Sequence, residues 1–325
     1  MKPKILLTGA SGFIGCEVSR RLALKDCRPR FMVRNIFQDR CVISHPEIEM
    51  VIGDLHHTES LDQAVKGVDA VIHLGAKATF ESYESLKPTI FDGSVALMEA
   101  AANHGVKTFV YSSSLLVYGD NRTQLDEKTV PRPVLDYGRI KLDTEKALAQ
   151  IAASAGMAFS AIRLPHVYGA MDLYFQQIRR GLLVLPGLGN NLFSHMHVSD
   201  AAELLIACAW QGYRGISPVG DDMPATWSEF LALVRRHHPG TRALVIPKWL
   251  GLAVAYALTP VRRYRPHPGL ETPGAVLSYN CNMAVKPGLV FKDLKISPSY
   301  PTIYEGIPAV AKESLLLKNQ FPPHL

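Results

Sequence analysis

Tyr137 and Lys141 stand four residues apart in the run YGRIK. On a helix these positions share a face, so a phenol and an ammonium meet at one spot. A neighbouring Lys⁺ favours phenolate over phenol. The pair therefore predicts a Tyr137 pKa drawn down from its usual value of about 10, towards a range suited to acid/base work. The same spacing occurs on ordinary solvated helix faces, so other residues must give it meaning.

A second group lies at the start of the chain. Residues 5–8 read as a strand that runs into TGASGFIG, which puts Gly9, Gly12 and Gly15 at a strand-to-helix turn. One glycine permits the tight turn, one lets the backbone approach a pyrophosphate, and one lets helix and strand pack closely. A helix N-terminus offers free N–H groups and a positive dipole end to phosphates. This context predicts dinucleotide binding, although the spacing is G-x-x-G-x-x-G rather than the commoner G-x-G-x-x-G.

The elements that must position these groups follow from the pattern. Short apolar runs at 5–8, 30–33, 49–52, 70–74, 108–112 and 159–163 alternate with helical stretches at 13–25, 61–65, 94–104 and 137–155. That alternation predicts an α/β fold, a Rossmann-type doubly wound parallel sheet. Beyond about residue 165 the pattern loosens and proline and glycine cluster. We expect a dinucleotide-binding domain over 1–165, with a returning segment near 192–220, and a smaller, irregular substrate-binding part over 166–325. A further helix at 199–210 has Ser199 as its expected N-cap.

Bulk composition excludes some classes. Hydrophobic residues make up 47% and charged residues 20%, ordinary for a globular protein, and the net charge of +6 is mild. No recognisable nucleic-acid module accompanies the basic residues, so no nucleic-acid partner is expected. The five scattered cysteines predict reduced thiols and, with no apolar leader behind MKPK, a cytoplasmic setting. The apolar stretch 249–261 is too short to span a bilayer. Flanked by Lys248, Arg262, Arg263 and Arg265, it reads as a buried helix, as the wall of an apolar pocket, or as a peripheral membrane contact through 248–265. The histidines lack carboxylate or cysteine partners at ligand spacing, and no metal is expected.

TGASGFIG, YSSSLLVYG at 111–119 and YGRIK together resemble the extended short-chain dehydrogenase/reductase family, in its NAD-dependent epimerase/dehydratase and 3β-hydroxysteroid dehydrogenase-like branches. GDL at 53–55, HLGAKA at 73–78, RLPHVYG at 163–169 and FSHMHVSDAAELL at 193–205 fall in family order, with a weaker echo in LKISPSYPTIYEGI near 294. The resemblance implies Tyr137 as general acid/base and Lys141 as the group that holds the nicotinamide ribose. Ser114, with Ser113 second, would bond the reacting oxygen. It also implies cofactor contacts from Gly9, Gly12, Phe13, Ile14 and Gly15 at the pyrophosphate and from Asp54 and Leu55 at the adenine. Leu74, Gly75, Ala76 and Lys77 would run along the cofactor, and Pro165, His166 and Val167 would approach the nicotinamide. A homodimer through 94–104 and 137–155 is the family habit.

Three departures narrow the expectation. Strand 30–33 is followed by Arg34 where an NAD site usually has an acid, which tips the cofactor slightly towards NADP over NAD. Ile90 stands where the family usually has Asn, and His166 where nucleotide-sugar epimerases often have Asn. His166 and the apolar helix predict an NAD(P)-dependent oxidoreductase that interconverts a secondary alcohol and a ketone on a sterol-like or other lipophilic substrate. The alternative is a sugar or nucleotide-sugar epimerase/dehydratase. A non-catalytic dinucleotide-binding regulator is the remote third reading, against which the complete Ser114, Tyr137 and Lys141 set argues.

Overall fold

The short apolar runs become the strands of one sheet. The structure, a computed structural model, describes residues 2–35, 48–179, 182–238, 240, 242–262 and 272–320. In chain order the first half holds β1 (Lys4–Thr8), α1 (Phe13–Leu22), β2 (Arg28–Val33), β3 (Glu49–Ile52), α2 (Thr58–Val65), β4 (Ala70–His73), α3 (Tyr83–Lys87) and, after a π-helical turn at Pro88–Asp92, α4 (Gly93–Asn103). β5 (Thr108–Ser114) leads through a 3-10 turn to α5 (Asp136–Ser154) and β6 (Ala158–Leu164).

The second half is more broken. It comprises β7 (His166–Tyr168), α6 (Leu173–Arg179), β8 (Leu182–Pro186), β9 (Leu192–Phe193), β10 (His195–His197), α7 (Val198–Gln211) and β11 (Gly215–Pro218). β12 (Ala225–Thr226), α8 (Trp227–His237), β13 (Arg242–Ile246), α9 (Lys248–Arg262), α10 (Pro273–Tyr279), α11 (Leu289–Asp293) and α12 (Ile303–Gln320) follow.

Seven parallel strands form the central sheet in the order β11-β6-β5-β4-β1-β2-β3, the doubly wound arrangement expected. Strand order reverses between β1 and β4, and the crevice there, beyond the strands' carboxyl ends, is where such sheets take ligands. Fully buried runs such as Ile5, Leu6 and Leu7 on β1 serve both faces at once, which is why these strands do not alternate. One face is covered by α1 and α7, the other by α2, α4 and α5. A separate core lies under the second half, around Phe175, Trp227, Phe230 and Tyr279.

Most sequence-derived boundaries fall within a few residues of those observed. β11 and the π-helical turn had no clear sequence signal. Ser199 is not the N-cap of α7. His197 is, its Nδ1 accepting the Ser199 N–H at 3.2 Å, so the ring takes the role expected of a hydroxyl. Asp200 accepts N–H bonds from Ser299 and Tyr300 at 2.7 and 2.9 Å, tying the late LKISPSYP run back to α7. Cys27, Cys208 and Cys281 are buried free thiols, whereas Cys16 is disulfide-bonded, so the expectation of reduced cysteines throughout does not hold there. Among the described residues no helix is long and apolar enough to cross a membrane.

Candidate active site

The glycine turn is built as a cradle. Gly9 has φ +73°, a region side chains rarely adopt, and a Cβ on it would stand 2.8 Å from the Gly75 nitrogen and the Leu74 carbonyl carbon. A Cβ on Gly15 would fall 2.0 Å from the Gly9 oxygen, so α1 sits directly on the turn. Gly12 is the N-cap and has no side chain to offer, which leaves the first N–H groups of α1, from Phe13 to Gly15, without a side-chain cap. Uncapped donors and the dipole end fit an anionic pyrophosphate. The loop after β4, carrying Leu74, Gly75, Ala76 and Lys77, is thereby brought against Gly9.

A hydrogen-bonded chain that sequence reading missed holds this junction. Ser94 Oγ donates to the Ile90 carbonyl at 2.5 Å and so has a lone pair for His73 Nε2–H at 2.8 Å. His73 Nδ1 is then the acceptor for the Thr8 hydroxyl at 2.6 Å, and Thr8 Oγ1 accepts from the Gly75 N–H at 3.2 Å. Every donor has one acceptor, and the His73 tautomer follows from its partners. Burial pushes the His73 pKa down to about 3, with the Lys141 charge adding to the effect, so the ring is neutral. The Ile90 carbonyl is presented by the π-helical turn. Although Ile90 lacks the amide of the family's usual Asn, its backbone closes this chain.

On α5, Tyr137, Lys141 and Glu145 fall at successive i, i+4 positions. Lys141 is 3% exposed; its Nζ donates to the Ser112 carbonyl at 2.7 Å and lies 4.5 Å from the Tyr111 ring centre and 5.9 Å from that of Tyr137. The expected lowering of the Tyr137 pKa is not what this geometry produces. Burial of the ring pushes Tyr137 up to about 12, and burial pushes Lys141 down to about 7 against the pull of Glu145. Desolvation outweighs the attraction of an ammonium that is itself reluctant to charge.

Glu145 is buried and serves structure. Arg163 on β6 grips it through Nε at 3.1 and 3.2 Å and Nη2 at 2.6 Å, while Arg163 Nη1 donates to the Tyr118 hydroxyl at 2.7 Å. Ser113 donates its hydroxyl to the same carboxylate. The three serines at the end of β5 are thus divided. Ser112 offers its carbonyl to Lys141 and Ser113 its hydroxyl to Glu145. Ser114 lines a cavity, its Oγ accepting the Leu116 N–H at 3.2 Å.

That cavity has a volume of about 210 Å³. Its walls are Leu116, Pro165 and His166 near Ser114, Val184 and Pro186 of β8, and an aromatic set of Phe80, Tyr174, Phe193, Trp227 and Tyr279. Phe80 stands edge-on to Tyr137 with ring centres 6.0 Å apart, linking the cavity wall to the acid/base candidate. His166 Nδ1 lies 3.1 Å from His195 Nδ1, so one ring donates to the other and the two hold opposite tautomers. Burial keeps both neutral, His166 at about 3 and His195 well below its usual value. His166 is further enclosed by Trp227 and Tyr174, at 4.8 and 5.1 Å between centres.

The remaining expected residues disperse more. Ala76 packs in the small cluster that contains Tyr137, and Val167 and Leu74 pack against the core under α1 and α7. Leu55 lies against Gly75 and Gly93. Asp54 accepts the His56 N–H at 2.9 Å. Lys77 turns to Glu81 in an ion pair of 2.6 Å. Arg34 is exposed at the end of β2. Residues 263–265 of the expected membrane segment lie outside the described residues. Among the described residues no group of three ligating side chains could hold a metal.

Over residues 5–218 the chain matches the NAD dependent epimerase/dehydratase family. The chain belongs to it. Among relatives of this family member, an N-acetyl-alpha-D-glucosaminyl-diphospho-ditrans,octacis-undecaprenol 4-epimerase of Escherichia coli O157:H7 is 29% identical over 218 residues, covering 63% of this chain and 62% of that protein. A ceramide reductase of Caulobacter vibrioides is 28% identical over 272 residues, 76% of this chain and 78% of the relative. In three dimensions, the UDP-N-acetylglucosamine 4-epimerase of Methanobrevibacter ruminantium superimposes with a TM-score of 0.78 at 19% identity, over 98% of this chain and 100% of that one, a likeness of fold. UDP-glucose 4-epimerases also match. On likeness alone, the sugar epimerase/dehydratase alternative is better supported than a sterol-like substrate. The expected preference for NADP rests on Arg34 alone, and the family description names NAD.

Proposed function

We propose that this NAD-dependent family member moves a hydride between a nicotinamide dinucleotide and a secondary alcohol or ketone carbon, and that this carbon belongs to a molecule with an apolar body. The observation that carries the second clause is the cavity beside Ser114. Among the described residues that line it there is no lysine or arginine, while five aromatic rings do. A nucleotide diphosphate needs charge-assisted partners, whereas an alkyl or polycyclic body needs these walls.

The turn from Gly9 to Gly15 and the N-terminus of α1 would hold the pyrophosphate, with the loop from Leu74 to Lys77 beside it. The bound nicotinamide supplies or accepts the hydride. Tyr137 passes the proton to or from the substrate oxygen, Ser114 Oγ bonds that oxygen, and Lys141, one turn along α5 from Tyr137, would hold the nicotinamide ribose. The aromatic wall excludes water from the reacting centre and orients the body. Arg34, exposed at the end of β2, favours a 2′-phosphate and hence NADP as one of the two cofactors accepted.

The second reading, a sugar epimerase or dehydratase in which the hydride leaves and returns within one turnover, is favoured by the names of most relatives. One experiment separates the two. Purified protein is denatured and its released nucleotide identified, and the intact enzyme is then offered NAD(P)H with long-chain or polycyclic ketones, and UDP-sugars separately. Net NAD(P)H oxidation by an apolar ketone, lost in Tyr137→Phe, supports the first reading. Near-stoichiometric bound NAD⁺ with UDP-sugar interconversion and no net cofactor turnover establishes the second.

A further inference from the structure

The positive charge of this chain is concentrated in one stretch. Between Glu229 and Asp293 the sequence holds nine lysines and arginines and one acid, Glu271, a net of +8. The whole chain carries +6, so everything outside that stretch sums to −2. The same stretch also exposes large aromatic side chains. Trp249 is 70% exposed and Tyr256 63%, on a helix whose opposite face, Gly251 and Ala255, is buried against the body. The spacing explains the division: 249 and 256 share one face and 251 and 255 the other. Leu244 and Val245 of β13 are also exposed, and Leu188, Val245 and Lys248 border one surface hollow. Arg242 and Lys248, both exposed, bracket β13.

We propose that this face, formed by β13 and α9, docks on an anionic lipid bilayer. Exposed tryptophan and tyrosine suit the boundary between headgroups and acyl chains, and lysine and arginine beside them suit anionic headgroups. A second copy of the chain is the poorer occupant, because a two-fold contact would set the exposed Arg242 and Lys248 of one copy against those of the other. The position of the cavity points the same way. Val184 lines it and is 43% exposed, and its register partner on β13 is the exposed Leu244. The mouth of the cavity therefore opens beside the docking face, where an apolar molecule dissolved in the bilayer would enter. Docking does not depend on the substrate reading, since the test below asks nothing of the reaction.

The full-length protein is sedimented with vesicles of phosphatidylcholine alone and of phosphatidylcholine with phosphatidylglycerol, at low and high salt. Binding to the anionic vesicles that weakens with salt is expected. Trp249→Ser with Tyr256→Ser should lower the partition coefficient by about tenfold or more, and Arg242→Glu with Lys248→Glu should lower it by a similar factor. Circular dichroism and cofactor binding report that both variants remain folded. Absence of binding to anionic vesicles overturns the proposal, as does wild-type binding by the Trp249/Tyr256 variant. A wild-type dimer that this variant converts to monomer, with no vesicle binding, would assign the face to a second copy instead.

Discussion

Lys141 is held in the fold at a cost that pH should reveal. Its ammonium is buried with one hydrogen bond, to the Ser112 carbonyl, and its pKa falls from 10.5 to about 7. At about 1.36 kcal/mol per pH unit, the charged form is disfavoured by roughly 5 kcal/mol in the folded state. Lys141's folded value lies below its unfolded one, so between about 7 and 10.5 the unfolded chain binds a proton that the folded chain does not. Stability contributed by this group therefore rises with pH across that window and is flat below it. Lys141→Met removes the titration, fills the same space, and leaves one carbonyl unpaired at a cost of about 1 kcal/mol. Urea unfolding of both proteins, followed by circular dichroism at several pH values, isolates the effect. Near pH 7.5 the variant should be the more stable by about 3 kcal/mol, and most of this advantage should be gone by about pH 9.5. A difference between the two proteins that stays constant with pH, or grows as pH rises, would refute the burial reasoning. Activity should be lost at every pH, which separates the role of Lys141 in function from its effect on stability.

Other outcomes follow from the same geometry. Tyr137→Phe should lower turnover by about 10²–10⁴-fold while cofactor binding, read by calorimetry, stays near wild type. Glu145→Ala leaves Arg163 buried and unpaired and should cost about 3–5 kcal/mol in chemical unfolding. Thr8→Val removes the acceptor of the Gly75 N–H and the donor to His73, for a loss of about 1–3 kcal/mol; cofactor affinity should fall with it, because the loop after β4 loses its anchor. Gly9→Ala, strained at φ +73° and colliding with Leu74 and Gly75, should cost about 2 kcal/mol or more and abolish cofactor binding.

What was legible in the sequence is what local pattern carries. Continuous apolar strands, the glycine turn and the Tyr137/Lys141 spacing are short-range signals, and each lands in the expected element. Contacts between distant segments were not legible. Thr8 and His73 are 65 residues apart, and nothing in either neighbourhood announces their bond. Only the family resemblance singled out Ser114 among three consecutive serines; the physical reason, that Lys141 and Glu145 of α5 claim the other two, lies in long-range contacts. The acidity of Tyr137 was misjudged for the same reason, since the sequence shows the neighbouring charge but not the burial that outweighs it. His197 in place of Ser199 as N-cap shows a ring nitrogen doing a hydroxyl's work, which residue preferences do not anticipate.

Likeness and chemistry weigh differently at the two ends of the reaction. The family match runs from residue 5 to 218 and so takes in the glycine turn, Ser114, Tyr137 and Lys141. Trp227, Ala275, Ser278 and Tyr279, which close the cavity, lie beyond it. Relatives that share the first set need not share the second. Within the matched range, His166, neutral, bonded to His195 and enclosed by Trp227 and Tyr174, forms part of the cavity's aromatic wall. The apolar proposal rests on those walls, while the relatives favour the sugar epimerase/dehydratase reading.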